Sequence, residues 1–414
     1  MDKKVDRNFL IAVIMVSIFP VFGYIWSLIK INRNNAKLML LVICIFDFFL
    51  ALRVPPYQDL FRRYTETYYS YFPNINIFEA LENKLDFLFY INSWLFYKAS
   101  IPFFYIPAIY SALTIYNVYS SYLLMANKSN ICGRFHNNRK FLISSLIVIS
   151  TVNIVGIATT LRFGFAASLM IKSIVIFFTG KKKNSLIYMV LGVLMHASMV
   201  IPIGALIVSK FIRLRRVTTL ILSIMALGFS VALIKYVLTH FDLFGLSSYF
   251  MVGYVDSVWS SFSTDLSTLF FITVQYIVII FLFSQTMYKS KDVPGLDNFI
   301  NVFIVICFLL TISITVFNRF FIGMASILLL FRYLTSERYF YCNWLVKYFL
   351  LGLIFYNFIF INIYVQRRPI LLGQMYTALY TPPIMNAFYT MKNFNDYLKK
   401  VNADGDWIGH ELGK

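Results

Sequence analysis

Arg162, His196 and Arg319 stand at the edges of long apolar runs, where an ionisable side chain is expensive and so marks a functional candidate. Arg162 opens the run RFGFAASLMIKSIVIFFTG, His196 closes SLIYMVLGVLMHAS, and Arg319 lies in TVFNRFFIGMAS. Two guanidinium groups and an imidazole suit a phosphate-bearing substrate. Guanidinium binds phosphate oxygens two at a time, stays charged at every working pH and tolerates partial burial better than ammonium. Imidazole, with a reference pKa of about 6.5, can take a proton from an attacking hydroxyl near neutral pH. Each residue alone also has an ordinary reading: the arginines as interfacial anchors reaching lipid phosphates, the histidine as a core residue bonded to a carbonyl. Their shared membrane level favours the functional reading.

That level follows from the elements carrying them. Two apolar helical segments flank the basic turn Gly180-Lys181-Lys182-Lys183. Short basic loops stay cytoplasmic. Arg162 precedes the turn by 18 residues, about 27 Å of helix and close to one membrane thickness. His196 follows the turn and reaches the outer half of the membrane. The short segments 184–197 and 198–212 meet near His196 as half-helices or a tilted pair. Lys172 is expected to snorkel towards the lysine turn. Asp47, in CIFDFFLAL, is expected to pair with an arginine or to be hydrogen-bonded.

The composition sets the class. The 414 residues are 59% hydrophobic and 13% charged, with continuous rather than alternating apolar runs, which excludes a soluble domain and a β-barrel. The expected fold is all-α and polytopic, with about twelve transmembrane helices: 9–29, 38–52, 101–125, 141–158, 162–179, 184–197, 198–212, 217–239, 266–287, 298–317, 319–335 and 344–364. Residues 1–365 form one transmembrane domain and 366–414 an extracytoplasmic tail. The net charge of +19 resides in short clusters between apolar runs, the pattern of cytoplasmic loops rather than of nucleic-acid binding. Alternation from those clusters places loops 53–100 and 240–265 outside. Lys3, Lys4 and Arg7 then also lie outside; the alternative inverts the first two helices and lets 85–100 span. Otherwise 85–100 is an interfacial or re-entrant helix. The outer loops supply further substrate-binding candidates: Arg53, Asp59, Arg62, Arg63 and Asp256. Four scattered cysteines carry neither metal spacing nor a disulfide framework. With no DxD cluster and no nucleotide-binding glycine loop, no metal and no cofactor is expected. A donor carried by the membrane itself, such as a polyprenyl diphosphate sugar, needs neither.

Three stretches resemble the EpsG/Wzy-like family of bacterial polysaccharide polymerases. They are LRVPPYQDLFRRYTETYY, then LRFGFAASLMIKS with KKKNSLIYMVLGVLMHASMVIPI, and NRFFIGMAS. The family often has glutamine after the central arginine, where this chain has Phe163. The resemblance implies an inner-membrane glycosyltransferase of GT-C-like architecture. It would join oligosaccharide units carried on undecaprenyl diphosphate at the outer face without metal, making O-antigen, capsule or exopolysaccharide. A chain-length regulator protein is a further implied partner. Arg162 and Arg319 would hold diphosphates. His196 would be the base or orient the acceptor hydroxyl, with Asp59, Glu66 and Asp256 as rival bases. Three rivals stand beside this reading. A flippase for the same lipid-linked sugars would need internal repeats and a charged path across the membrane, whereas the candidate charges crowd on one side. A ligase-like glycan transferase would share the arginine–histidine logic. A structural partner in an assembly complex would tolerate loss of Arg162 or His196.

Overall fold

The helix that follows Arg162 is the most deeply packed of the long apolar helices. The computed structural model describes residues 6–128, 138–180, 182–240, 266–286, 293–340, 344–402, 405–406 and 408. Among these the chain is helical and has no strand. The first helices are α1 (Arg7–Ile18), α2 (Pro20–Lys30), α3 (Ala36–Ala51), α4 (Asp59–Tyr64), α5 (Ile77–Leu81), α6 (Phe87–Lys98) and α7 (Tyr105–Lys128). Next come α8 (Asn138–Ser150), α9 (Ile154–Thr160), α10 (Arg162–Thr179), α11 (Lys182–Met195), α12 (Val200–Phe211), α13 (Arg216–His240) and α14 (Leu266–Gln285). The last are α15 (Pro294–Leu309), α16 (Ile314–Phe320), α17 (Ser326–Leu334), α18 (Glu337–Phe340), α19 (Trp344–Phe355), α20 (Arg367–Leu372) and α21 (Met391–Leu398). Asp256 and the rest of 241–265 lie outside the described residues.

Among the described residues seven segments are long and apolar enough to cross a membrane: 139–160, 162–179, 216–234, 268–285, 295–312, 314–334 and 344–364. The five other expected spans are helical too, each with a local reason for falling short. Pro20 at the start of α2 divides 7–30 at Phe19, because proline suits a first turn and interrupts a helix interior. α3, α11 and α12 have 16, 14 and 12 residues. α7 has 24, diluted by Tyr, Ser, Thr and Asn.

α10 packs against α11 and α7. Gly180, at φ +104 with open space around it, ends α10 in the left-handed conformation that glycine adopts without strain. The hairpin to α11 is locked by reciprocal bonds: Ser173 Oγ donates to the Ser185 carbonyl and Ser185 Oγ to the Ser173 carbonyl, each at 2.9 Å. Small polar residues of this kind let membrane helices approach closely. Lys172 does not snorkel. It is buried between α7, α10 and α11, donates to Asn117 Oδ1 at 3.1 Å, and lies 4.4 and 4.8 Å from the ring centres of Tyr116 and Tyr188. These partners satisfy the ammonium inside the bundle. Asp47 also departs from expectation: it is fully buried and neither carboxylate oxygen has a partner.

At the lysine-turn end, Asp297 ties three helices. Arg332 Nε reaches its Oδ1 at 2.7 Å and Arg216 Nη2 lies at 3.9 Å, while Arg216 also bonds Asn301. At the opposite end, α4 to α6 form a polar cap, and the chain after α20 folds back onto it. Phe394 is fully buried against Tyr64, Phe103 and Phe104.

Candidate active site

Arg162 is held in place by a break in the helix. Leu161, between α9 and α10, has φ +44, a conformation uncommon outside glycine and concentrated at functional sites. Its side chain is fully buried, so packing holds the backbone there. Gln58, just before Asp59, has φ +50, and its N–H donates to the Gly405 carbonyl at 2.8 Å. Among the described residues, two of the five non-glycine residues with positive φ thus directly precede expected site residues.

Arg162 Nη1 bonds Asp86 Oδ2 at 2.5 Å, and its Nη2 lies 3.8 Å from Asp59 Oδ1. Asp86 is 4% exposed and Asp59 is 30% exposed in its side chain. Asp86 Oδ1 also accepts the N–H of Ala197 at 3.1 Å. One carboxylate therefore joins the start of α10 to the turn that carries His196. That turn breaks the α11–α12 line: His196 is extended, and residues 197–199 form a single 3-10 turn before α12. His196 is buried, and its Nδ1 accepts the Ser198 N–H at 3.3 Å and faces Ser198 Oγ at 2.9 Å. A ring nitrogen that accepts a backbone N–H carries no proton, so the neutral imidazole bears its proton on Nε2 and offers a donor there.

Phe163 connects this cluster to Arg319. Its ring meets the His196 ring edge-on at 5.5 Å and 89°, and the Arg319 guanidinium lies 5.5 Å from the Phe163 centroid, at cation–π range. Arg319 lies in the last turn of α16, which runs into a π-helical stretch at 321–325.

On α4, Arg63 Nε bonds Asp59 at 3.1 Å, and its Nη1 bonds Glu66 and the Tyr90 hydroxyl. Tyr90 donates to Glu66 at 2.7 Å. Burial pushes the Tyr90 hydroxyl up to about 12, so it remains a donor at working pH. The structure thus gathers Asp59, Arg63, Arg162 and His196 into one network and adds Arg319 through Phe163. Arg62, half-buried, joins no ion pair among the described residues. Arg53 points elsewhere: Nε bonds Asn386 Oδ1 at 3.0 Å and Nη1 bonds Thr377, anchoring the C-terminal segment. Among the described residues no group of three or more His, Cys, Asp or Glu could hold a metal.

Asp86 carries no sequence signal of this role. An aspartate before an apolar helix reads as an N-cap, yet Asp86 makes no side-chain bond to its own helix α6. Its partners are 76 and 111 residues away, and no local pattern reveals them. Phe163, standing where the family often has glutamine, likewise gives no local sign of its contacts with His196 and Arg319.

A cavity of about 500 Å³ opens beside Phe163 and Arg319 and runs among α10, α14, α17 and α19. A polytopic all-α membrane protein with a charged, half-buried network at one end of its bundle is the class these features define. The sequence model of the EpsG family matches residues 36–377, and the chain belongs to that family. Comparison with curated proteins and with solved structures gives no match.

Proposed function

We propose that this chain is a polysaccharide polymerase of the bacterial cytoplasmic membrane. It transfers a glycan from a polyprenyl diphosphate, undecaprenyl diphosphate in this reading, to a sugar hydroxyl of the next lipid-linked repeat unit. The observation that carries the reading is the placement of Arg162, His196 and Arg319 around one phenylalanine at one end of an EpsG-family membrane bundle. The bond from the donor sugar's anomeric carbon to the diphosphate breaks, and a bond from that carbon to the acceptor oxygen forms. The hydroxyl proton passes to a carboxylate, and the diphosphate leaves.

Arg319 and Arg162 stabilise the charge that develops on the diphosphate. Asp86 holds the Arg162 guanidinium. His196, a donor at Nε2, orients the acceptor oxygen. Asp59, the more exposed of the two carboxylates beside Arg162, takes the proton. In this reading the seven apolar helices and the five shorter or more polar ones make about twelve passages of a GT-C-like architecture. Residues 53–100, 240–265 and 366–414 face outward, and a chain-length regulator protein docks from the same membrane.

The test is glycan length on cells lacking the protein, complemented with wild type, Arg162→Ala, Arg319→Ala or His196→Ala at matched membrane expression. Single repeat units in the null and in the variants, with a ladder restored by wild type, support the reading. Ladders in the variants overturn the site. Absence of any surface unit in the null places the block before polymerisation and favours a flippase.

A further inference from the structure

The cavity beside Arg319 is longer than a phosphate site requires. Along 314–334 its wall runs from Arg319 to Leu330, and eleven residues of helix cover roughly 16 Å, about half a bilayer. The other walls agree in direction: Phe271 and Gln366 lie at the Arg319 end, Leu282 and Leu353 at the far end. Asn153, Thr160 and Asn318 line the cavity with Arg319, and the rest of the wall is mostly aliphatic, with Thr114, Ser168, Ser326 and Asn357 interspersed.

Two π-helical stretches, 321–325 and 356–364, both contribute wall residues, among them Gly323 and Asn357. π-helical turns are rare and recur at functional sites. Gly323 keeps the mouth open: a Cβ there would meet only Phe163, at an ordinary 3.7 Å. A cationic mouth above a mostly apolar shaft inside a membrane bundle is complementary to one amphiphile, an anionic head on a single hydrocarbon chain.

We infer that this cavity seats the first part of the hydrocarbon chain of a single-chain lipid diphosphate, with the diphosphate at its Arg319 mouth, where Phe163 borders the side that holds Arg162 and His196. The cavity's role as the donor's seat rests on the polymerase reading; the chemistry of the occupant rests on the cavity itself. At about 500 Å³ it matches an ordinary small-molecule pocket, which suits one chain segment and not two acyl tails. The polar cap of α4 to α6 on the other side of Phe163 then receives the acceptor sugar.

The experiment uses the full chain in nanodiscs and an isoprenyl diphosphate carrying a diazirine on its chain. Labelling is expected within 322–330 and 353–361, displaced by unlabelled long-chain prenyl diphosphate and not by phosphatidylglycerol. Gly323→Leu, which fills the mouth, should cut labelling about tenfold, the effect of losing roughly 1.4 kcal/mol of binding. Gly204→Leu, at a position with open space in α12, should leave it unchanged. Arg319→Gln should weaken capture of the diphosphate probe and spare that of the matching prenyl alcohol. Labelling elsewhere, equal displacement by phosphatidylglycerol, or undiminished labelling of a folded Gly323→Leu overturns the assignment. The mapped wild-type label decides the matter even if Gly323→Leu fails to fold. Cavity labelling in a protein whose null cells keep their glycan ladder would retain the lipid seat and reject the polymerase reading. A ladder lost in the null without cavity labelling would do the reverse.

Discussion

Asp86 offers the sharpest test of how the site is held. Asp86→Asn keeps an oxygen for the Ala197 N–H and removes the charge facing Arg162. A hydrogen bond to a charged group contributes about 1.5–3 kcal/mol. If that orientation is used in the transition state, the transfer rate falls roughly 10- to 100-fold, at 1.36 kcal/mol per decade. Asp86→Ala goes further: it leaves the guanidinium without its buried partner, a loss of about 3–5 kcal/mol. Asp59, already 3.8 Å from Arg162, can take up part of the charge, and since it is also the proposed proton acceptor this coupling is read in stability: Asp86→Asn combined with Asp59→Asn should lower the unfolding temperature by more than the sum of the singles. The assay is the initial rate of chain extension in membranes with matched protein levels, paired with thermal unfolding in detergent. A wild-type rate for Asp86→Asn, or strict additivity of Asp86→Asn with Arg162→Gln, refutes the positioning role. A rate loss that merely tracks lost folding does so as well.

Other substitutions probe separate links. Asp47→Leu replaces a buried, unpartnered carboxyl with an apolar side chain of the same branching and should stabilise the protein by about 1–3 kcal/mol, read as a higher unfolding temperature. Gly373→Ala places a methyl 2.5 Å from the Arg53 carbonyl and 2.6 Å from Pro55 Cδ; forcing that contact should destabilise by about 1–3 kcal/mol and speed proteolysis of 374–402. Asp297→Ala withdraws the anion shared by Arg216 and Arg332 and should cost about 3–5 kcal/mol, seen as low yield of folded protein. Phe163→Leu removes a cation–π contact of about 0.5–2 kcal/mol and should raise KM for the lipid donor several-fold while unfolding temperature stays constant.

The sequence by itself determined the membrane class, because continuous apolar runs can bury their backbone only as helices. It also determined the break at His196 and the common end of Arg162 and Arg319, since helical rise converts sequence spacing into depth. The family followed from three local stretches. What the tertiary structure decided were the partners, because a side chain's neighbour across a bundle leaves no local pattern. Asp86 carries no local signal of its role and bridges two helix starts; Arg53, a substrate-binding candidate by sequence, bonds Asn386 and Thr377 in the C-terminal segment. Lys172 looked able to reach water and is satisfied by an asparagine and two tyrosines from neighbouring helices. Spacing along one helix is fixed by its hydrogen bonds, but which helix faces which is settled only when all the faces compete for burial.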